Sequence, residues 1–276
     1  MVAALLFAAV DRRRFLTMLG VGGVAVGGGL AGSAIEAKAS AATDQAKQED
    51  GTYAAGPRGV QRVLWSVDTD QRVAALTFDD GPTPVFTSHA LDVLAAARVP
   101  ATFFMIGKLV ADYSSIAKQV VAAGHEVGNH SWSHVSAPTV SDDRNVSEID
   151  RTNDIIKTVT GITPAWYRPP RGMLVGASVR RTHEQGQAVA MWSVTRGPAG
   201  DTDVDGVTRY LIDAIHPGAI IDLHDGVGAS AFGGTGNYTA SLVRRREAEL
   251  HALPAVIAAW KAAGYSLVTL SELAAL

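Results

Sequence analysis

Cysteine is absent from the 276 residues, which excludes disulfides, thiolate-held metals and a cysteine nucleophile. A basic excess is missing too. The 24 Lys and Arg stand against 27 Asp and Glu, a formal charge of −3, whereas a chain that binds nucleic acid normally carries a surplus of cations. No nucleic-acid partner is expected. Long uninterrupted apolar runs are scarce: residues 15–34 approach bilayer-spanning length, but seven glycines make them a poor anchor. Apolar residues nonetheless make up 47% of the chain, enough for one large domain with a real core or two small ones.

The glycine-rich segment is preceded by Arg12-Arg13-Arg14-Phe15-Leu16 and followed by small-residue cleavage candidates at Ala37-Lys38-Ala39 and Ala39-Ser40-Ala41. This order resembles a twin-arginine export signal of the pattern Arg-Arg-x-Phe-Leu, although the apolar residues 2–10 are unusual before one. The resemblance implies export by the twin-arginine route to a secreted or cell-envelope location. Residues 1–41 would be removed, with no stable membrane insertion afterwards. Residues 42–62 are rich in Ala, Gly and charge and read as a linker, which leaves 63–276 as the folded domain.

Within that domain, apolar runs alternate with helix-period stretches. Strands are expected at 73–78, 101–106, 126–129, 165–168, 188–194, 219–223 and 266–270. Helices are expected at 85–97, 109–123, 146–160, 175–185, 204–215 and 241–263, most of them followed by a glycine suited to a left-handed cap. Repeated strand–helix order implies an α/β fold with a parallel sheet: a distorted (β/α)7-type barrel, or an open doubly wound sheet. Residues 63–66, turning at Asp68-Thr69-Asp70, read as a small added N-terminal hairpin.

In either architecture chemistry gathers at the carboxyl ends of the strands. The first strand ends in Leu76-Thr77-Phe78-Asp79-Asp80-Gly81-Pro82, with Gly-Pro forcing the chain out. Two adjacent carboxylates at the end of a buried strand are costly unless a metal or cation shares them; a helix cap or solvated turn is the ordinary alternative. The third strand ends in Asn129-His130, and His134 follows four residues on. If the chain turns helically there, both imidazoles project from one face, and with a nearby carboxylate they form a two-His, one-Asp set. Arg168-Pro169-Pro170-Arg171-Gly172 ends the fourth strand and supplies a cation, and Asp222-Leu223-His224-Asp225-Gly226 ends the sixth with a third imidazole.

Taken in order, Thr-Phe-Asp-Asp-Gly-Pro, His-Ser-x-x-His, Arg-Pro-Pro-x-Gly and Leu-His-Asp resemble the motifs of the polysaccharide deacetylase family (the NodB homology domain, carbohydrate esterase family 4), from Val73 to the C-terminus. The resemblance implies a distorted (β/α) barrel and a divalent metal, usually Zn2+, with Co2+, Mn2+ or Ni2+ as alternatives. It implies removal of acetyl groups from amino sugars or acetylated polysaccharide, so an acetylated glycan is the expected partner. Asp80, His130 and His134 would hold the metal. Asp79 would be the general base, Arg168 its ion-pair partner, and His224 the general acid that protonates the departing amine. The Arg171 backbone N–H would face the oxyanion, with Pro170 and Trp132 bordering the substrate.

Two positions depart from the family pattern. Thr195 stands where an aspartate normally supports the acid histidine, which leaves Asp201, Asp203 or Asp222 as substitutes. Asp222 shares a strand face with His224, but is as readily an ordinary buried carboxylate paired elsewhere. Arg171 replaces an aromatic residue, which points to an anionic substrate group or to simple exposure. Trp192 is expected to pack in the core, although a sugar platform is an alternative, and Arg244-Arg245-Arg246 reads as a solvated helix face. Three functions remain open: an N-deacetylase on chitin-like or peptidoglycan amino sugars, an O-acetyl esterase of the xylan type, and a carbohydrate-binding pseudoenzyme.

Overall fold

The computed structural model describes residues 59–234 and 236–276, so the expected export signal and nearly all of the expected linker lie outside the described residues. The last linker residues already belong to the body. Gln61 donates to Gln187 O (2.9 Å), and Val189 N donates to Arg62 O (2.9 Å).

Among the described residues nine strands form one sheet: β1 (Val63–Leu64), β2 (Val73–Asp79), β3 (Thr102–Met105), β4 (Glu126–Asn129), β5 (Trp166–Tyr167), β6 (Ala188–Ala190), β7 (Val194–Thr195), β8 (Ile220–His224) and β9 (Ser266–Val268). Their order is β1-β6-β5-β4-β3-β2-β8-β7, with β9 also on β2 and every pairing parallel. Because β6 and β7 are successive pieces of one segment, the hydrogen-bonded path curls round and returns to where it began. This is the parallel (β/α)7-type barrel that the strand–helix order implies, and not an open doubly wound sheet.

The helices are α1 (Phe86–Ala97), α2 (Gly107–Asp112), α3 (Ser114–Ala122), α4 (Asp142–Thr160), α5 (Gly176–Glu184), α6 (Val204–Ala214), α7 (Asn237–Ala262) and α8 (Leu270–Leu273). Their ends follow local chemistry. Ser141 caps α4 by accepting from Arg144 N, so this helix starts earlier than its apolar period shows, and Gly161 ends it with φ 79°. Tyr113, at φ −124° and ψ 46°, splits the expected 109–123 helix in two. Thr269 and Glu272 form a capping box, which stops β9 at Val268 and starts α8.

Two further expectations are corrected. Residues 63–66 form no hairpin: β1 pairs in parallel with β6, and Ser66 makes a lone antiparallel bridge to Ala219. The strand covers the edge that β6 would otherwise leave open. The expected 188–194 strand is broken at Met191-Trp192-Ser193, because its first half bonds β5 and its second half bonds β8 on the other side of the barrel.

Strand alternation decides what faces inward. On β2, Ala74, Leu76 and Phe78 join the larger apolar core with Phe103, Leu253 and Trp260. Ala75 belongs to the inner cluster with Phe104, Trp166, Ile220 and Leu270, and Thr77 and Asp79 follow it on the same face. Strand β8 repeats the pattern: Ile221 and Leu223 face the larger core, while Ile220, Asp222 and His224 face in. The turns after β2 and β8 pack backbone to backbone, and a Cβ on Gly226 would strike the Asp80 carbonyl. Gly226→Ala is therefore expected to cost about 1–3 kcal/mol in urea unfolding, since backbone must shift to admit it. Wild-type stability would show that the two turns are not in tight contact.

Candidate active site

The ends of β2, β4, β5, β7 and β8 and one helix build the site. Asp79 closes β2 and is paired in register with His224 of β8. Its Oδ1 accepts from Arg168 Nη1 at 2.8 Å. Arg168, fully buried just past β5, also donates from Nη1 to Thr77 Oγ1 (2.8 Å) and Asp222 Oδ1 (3.3 Å), and from Nη2 to Met191 O (3.0 Å). Its guanidinium lies 4.0 Å over the Phe104 ring, so the cation is held on every side.

Asp80 takes φ 79°, which turns its side chain away from that arginine. Its Oδ1 lies 3.1 Å from His134 Nε2 and 3.6 Å from His130 Nε2, and its Oδ2 lies 3.4 Å from Arg246 Nη2. The two histidines are not on a helix. Positive φ at Ser131 (65°) and His134 (54°) folds the chain into a turn, which Asn129 Oδ1 and Ser131 Oγ tie by accepting from Ser131 N and His134 N. The imidazole centroids end 5.2 Å apart.

Asp80, His130 and His134 are all buried, and one ligand atom from each lies within 4.8 Å of the others. Their chemistry fits a cation. His130 Nδ1 lies 2.8 Å from the Arg168 carbonyl, which can only accept, so Nδ1 carries the proton. Burial holds the ring below its usual pKa against the pull of Asp79 and Asp80, so Nε2 presents a lone pair to carboxylate oxygens 3.5 and 3.6 Å away. Asp80 Oδ1 has no hydrogen-bond donor, and neither has His134 Nδ1. Burial would raise the Asp80 carboxyl, but His134, His224 and His130 together hold it below the carboxylate range. Asp79, Asp80, Asp222, Asp225 and Glu249 are buried around this centre against Arg168, Arg196 and Arg246, with the His224 ring beside them, so five carboxylates face four cations and a bound cation would offset the excess. The excess is visible in Asp222, pushed up to about 7 by burial first and Asp79 second, and in Asp225, pushed up to about 7 by burial and then by Asp80 and Asp79.

His224 ends β8 half-buried at the cavity wall. Burial and Arg246 push its pKa down, but Asp222 and Glu249 outweigh them and raise it to about 9. Glu249, on α7, receives the His224 backbone N–H (2.9 Å) and lies 3.3 Å from Nδ1. Sequence reasoning missed this residue, and it misread Arg246. Arg244 and Arg245 do face outward, toward Asp201, but Arg246 is buried and donates to Gly226 O (2.7 Å) and Glu249 Oε1 (3.1 Å). The available signal was spacing: 246, 249, 250, 253, 256, 257 and 260 form the buried stripe of α7, so two charges lie on its core face.

The other expected contacts divide. Arg171, at φ 58°, lines the cavity, as do Trp192 and Tyr238, so Trp192 is not purely a core residue. Trp132 does not line it: its ring lies beneath the Arg151 guanidinium (3.9 Å) and against Gly107. Pro170 is buried in the one-turn helix Pro170–Gly172 behind Arg171 and is likewise not exposed to the cavity. Thr195 lines the wall in register with Asp222. Asp201 is engaged by Ser241 and Arg245, and Asp203 caps α6, so neither supports His224.

The Polysaccharide deacetylase family profile matches residues 66–190. A peptidoglycan-N-acetylglucosamine deacetylase of Bacillus cereus is 33% identical over 214 residues, which cover 76% of this chain and 92% of that protein. A chitooligosaccharide deacetylase of Rhizobium leguminosarum bv. trifolii is 33% identical over 204 residues, covering 74% and 93%. Among solved structures, the Bc1960 peptidoglycan N-acetylglucosamine deacetylase superposes with a TM-score of 0.68 at 28% identity, covering 77% of this chain and 92% of that one. The chain belongs to the polysaccharide deacetylase (NodB, carbohydrate esterase family 4) family.

The two adjacent aspartates can be separated by metal binding. Asp80→Asn is expected to weaken Zn2+ affinity at least about 10-fold in calorimetric titration, because it removes a ligand, whereas Asp79→Asn keeps binding within a few-fold. Equal weakening in both would show that the carboxylates share the ion.

Proposed function

We propose that this protein removes acetyl groups from N-acetylated amino-sugar polysaccharide, chitin-like or peptidoglycan, outside the membrane. The observation that carries this reading is the placing of Asp79 and His224 in register on neighbouring strands, beside a candidate metal centre built from other residues. The activities named for the relatives support the substrate class. The sequence Arg12-Arg13-Arg14-Phe15-Leu16 supports export by the twin-arginine route.

Asp80, His130 and His134 would hold the ion, and two nitrogens with one oxygen suit Zn2+. When bound, it would polarise the acetyl carbonyl and acidify water. Hydrolysis of the amide consumes one water and releases acetate and a free amine. Asp79 takes a proton from the attacking water, and its bond from Arg168 aims it. His224 gives a proton to the amide nitrogen as the C–N bond breaks; a ring raised to about 9 still carries that proton at neutral pH. Arg171 and Trp192 border the cavity where the glycan would lie.

Acetate release tests the reading. The metal-loaded chain is expected to deacetylate chitooligosaccharides faster than acetylated xylan, and chelator should abolish both. No chelator-sensitive release from any acetylated glycan would contradict the proposal and favour a binding role; preference for xylan would favour an esterase. His224→Ala is expected to slow amide cleavage by about 10²-fold or more while sparing an activated ester, whose leaving group needs no proton. Equal losses on both would count against His224 as the acid.

A further inference from the structure

Thr195 stands on β7 where the family resemblance implies an aspartate, and its Oγ1 accepts from Gly197 N (3.3 Å). We propose that Glu249, brought in from α7, is the positioning residue for His224: one carboxylate oxygen fixes both the backbone and the ring of the histidine and so selects the ring nitrogen that faces the cavity. This rests on the reading of His224 as the acid that protonates the amine.

Glu249 Oε2 receives the His224 backbone N–H at 2.9 Å and lies 3.3 Å from Nδ1 of the same residue. An ionised carboxylate has no proton to give, so the shared proton sits on Nδ1. Nε2 is then the nitrogen left to exchange a proton with substrate. Glu249 is kept ionised by its surroundings: burial opposes the charge, but Arg246, His224 and Arg196 hold its carboxyl below the usual range. Its Oε1 accepts from Arg246 Nη1 (3.1 Å) and lies 3.3 Å from Arg196 Nε. Arg196 is itself tethered to the carbonyls of Ala199 and Gly200, at 2.9 Å each.

Among the described residues no other carboxylate takes this place. Asp222 shares the inner face of β8, but its Oδ1 is 3.3 Å from Arg168 Nη1, and it reaches His224 through charge alone. Among the described residues Glu249 is the carboxylate hydrogen-bonded to His224. The support for His224 thus comes from a helix and not from the strand wall. Its partner Arg246, one turn earlier, also reaches Asp80, so α7 braces both sides of the cleft.

Glu249→Gln tests the assignment in the full, Zn2+-loaded chain. Loss of a support that orients a proton donor is expected to lower kcat on chitooligosaccharide about 10- to 100-fold with little change in KM. Hydrolysis of 4-nitrophenyl acetate and Zn2+ affinity should stay within about threefold, because neither needs that proton. Equal loss on both substrates, or no loss on the amide, would overturn the proposal. His224→Ala run in parallel separates the two readings: if it spares amide cleavage the acid assignment fails, and if it does not while Glu249→Gln does, the positioning role fails. Should Glu249→Gln not fold, 15N spectra of the wild-type chain decide. Above its titration the His224 ring is expected to keep its proton on Nδ1, and the opposite tautomer would overturn the proposal.

Discussion

The fully buried guanidinium of Arg168 allows the inner strand face to hold its carboxylates. Strand alternation on β2 and β8 aims Thr77, Asp79 and Asp222 at one interior region, and unpaired carboxylates there would neutralise by taking up protons. Arg168 meets all three, and its remaining donors reach Ala190 O and Met191 O at the break between β6 and β7. It joins β2, β5 and β8 to the segment on which the curled sheet closes. Removing one partner of such a buried pair typically costs about 3–5 kcal/mol, because the other charge is left uncompensated.

Against that fixed cation, the two adjacent aspartates separate. Asp79 continues the strand, with Oδ1 held by Arg168 and Oδ2 3.5 Å from His130 Nε2. Asp80, with positive φ, leaves the strand and belongs to the histidines, with Arg246 behind it. The candidate ligand atoms of Asp80, His130 and His134 therefore converge on the Asp80 side, within 4.8 Å of one another. That arrangement is unfavourable without an ion and favourable with one.

Much of this was legible in the sequence because it depends on short-range pattern. The strand ends, the Asp-Asp-Gly-Pro exit, the His-x-x-x-His spacing and the Arg-Pro-Pro turn each lie within a few residues of one another. What stayed hidden depends on tertiary contact. The turn that brings His130 and His134 together is built from two positive-φ residues and an asparagine bond, not from a helical period. The break at Met191-Trp192-Ser193 exists because two halves of one apolar run find different neighbours, and it is what brings Trp192 to the cavity wall. Trp132 has the composition of a sugar platform but is taken up by Arg151. Arg246 and Glu249 were obscured by the exposed arginines beside them, although their place on the apolar stripe of α7 marks both as buried.

The separation of the two aspartates carries the whole account, and anomalous diffraction from crystals grown with Zn2+ tests it most directly. One strong peak is expected about 2.0–2.2 Å from an oxygen of Asp80 and from one nitrogen each of His130 and His134, with Asp79 beyond bonding distance and still bound to Arg168. A peak ligated by Asp79, or an ion seated away from the two histidines, would contradict it.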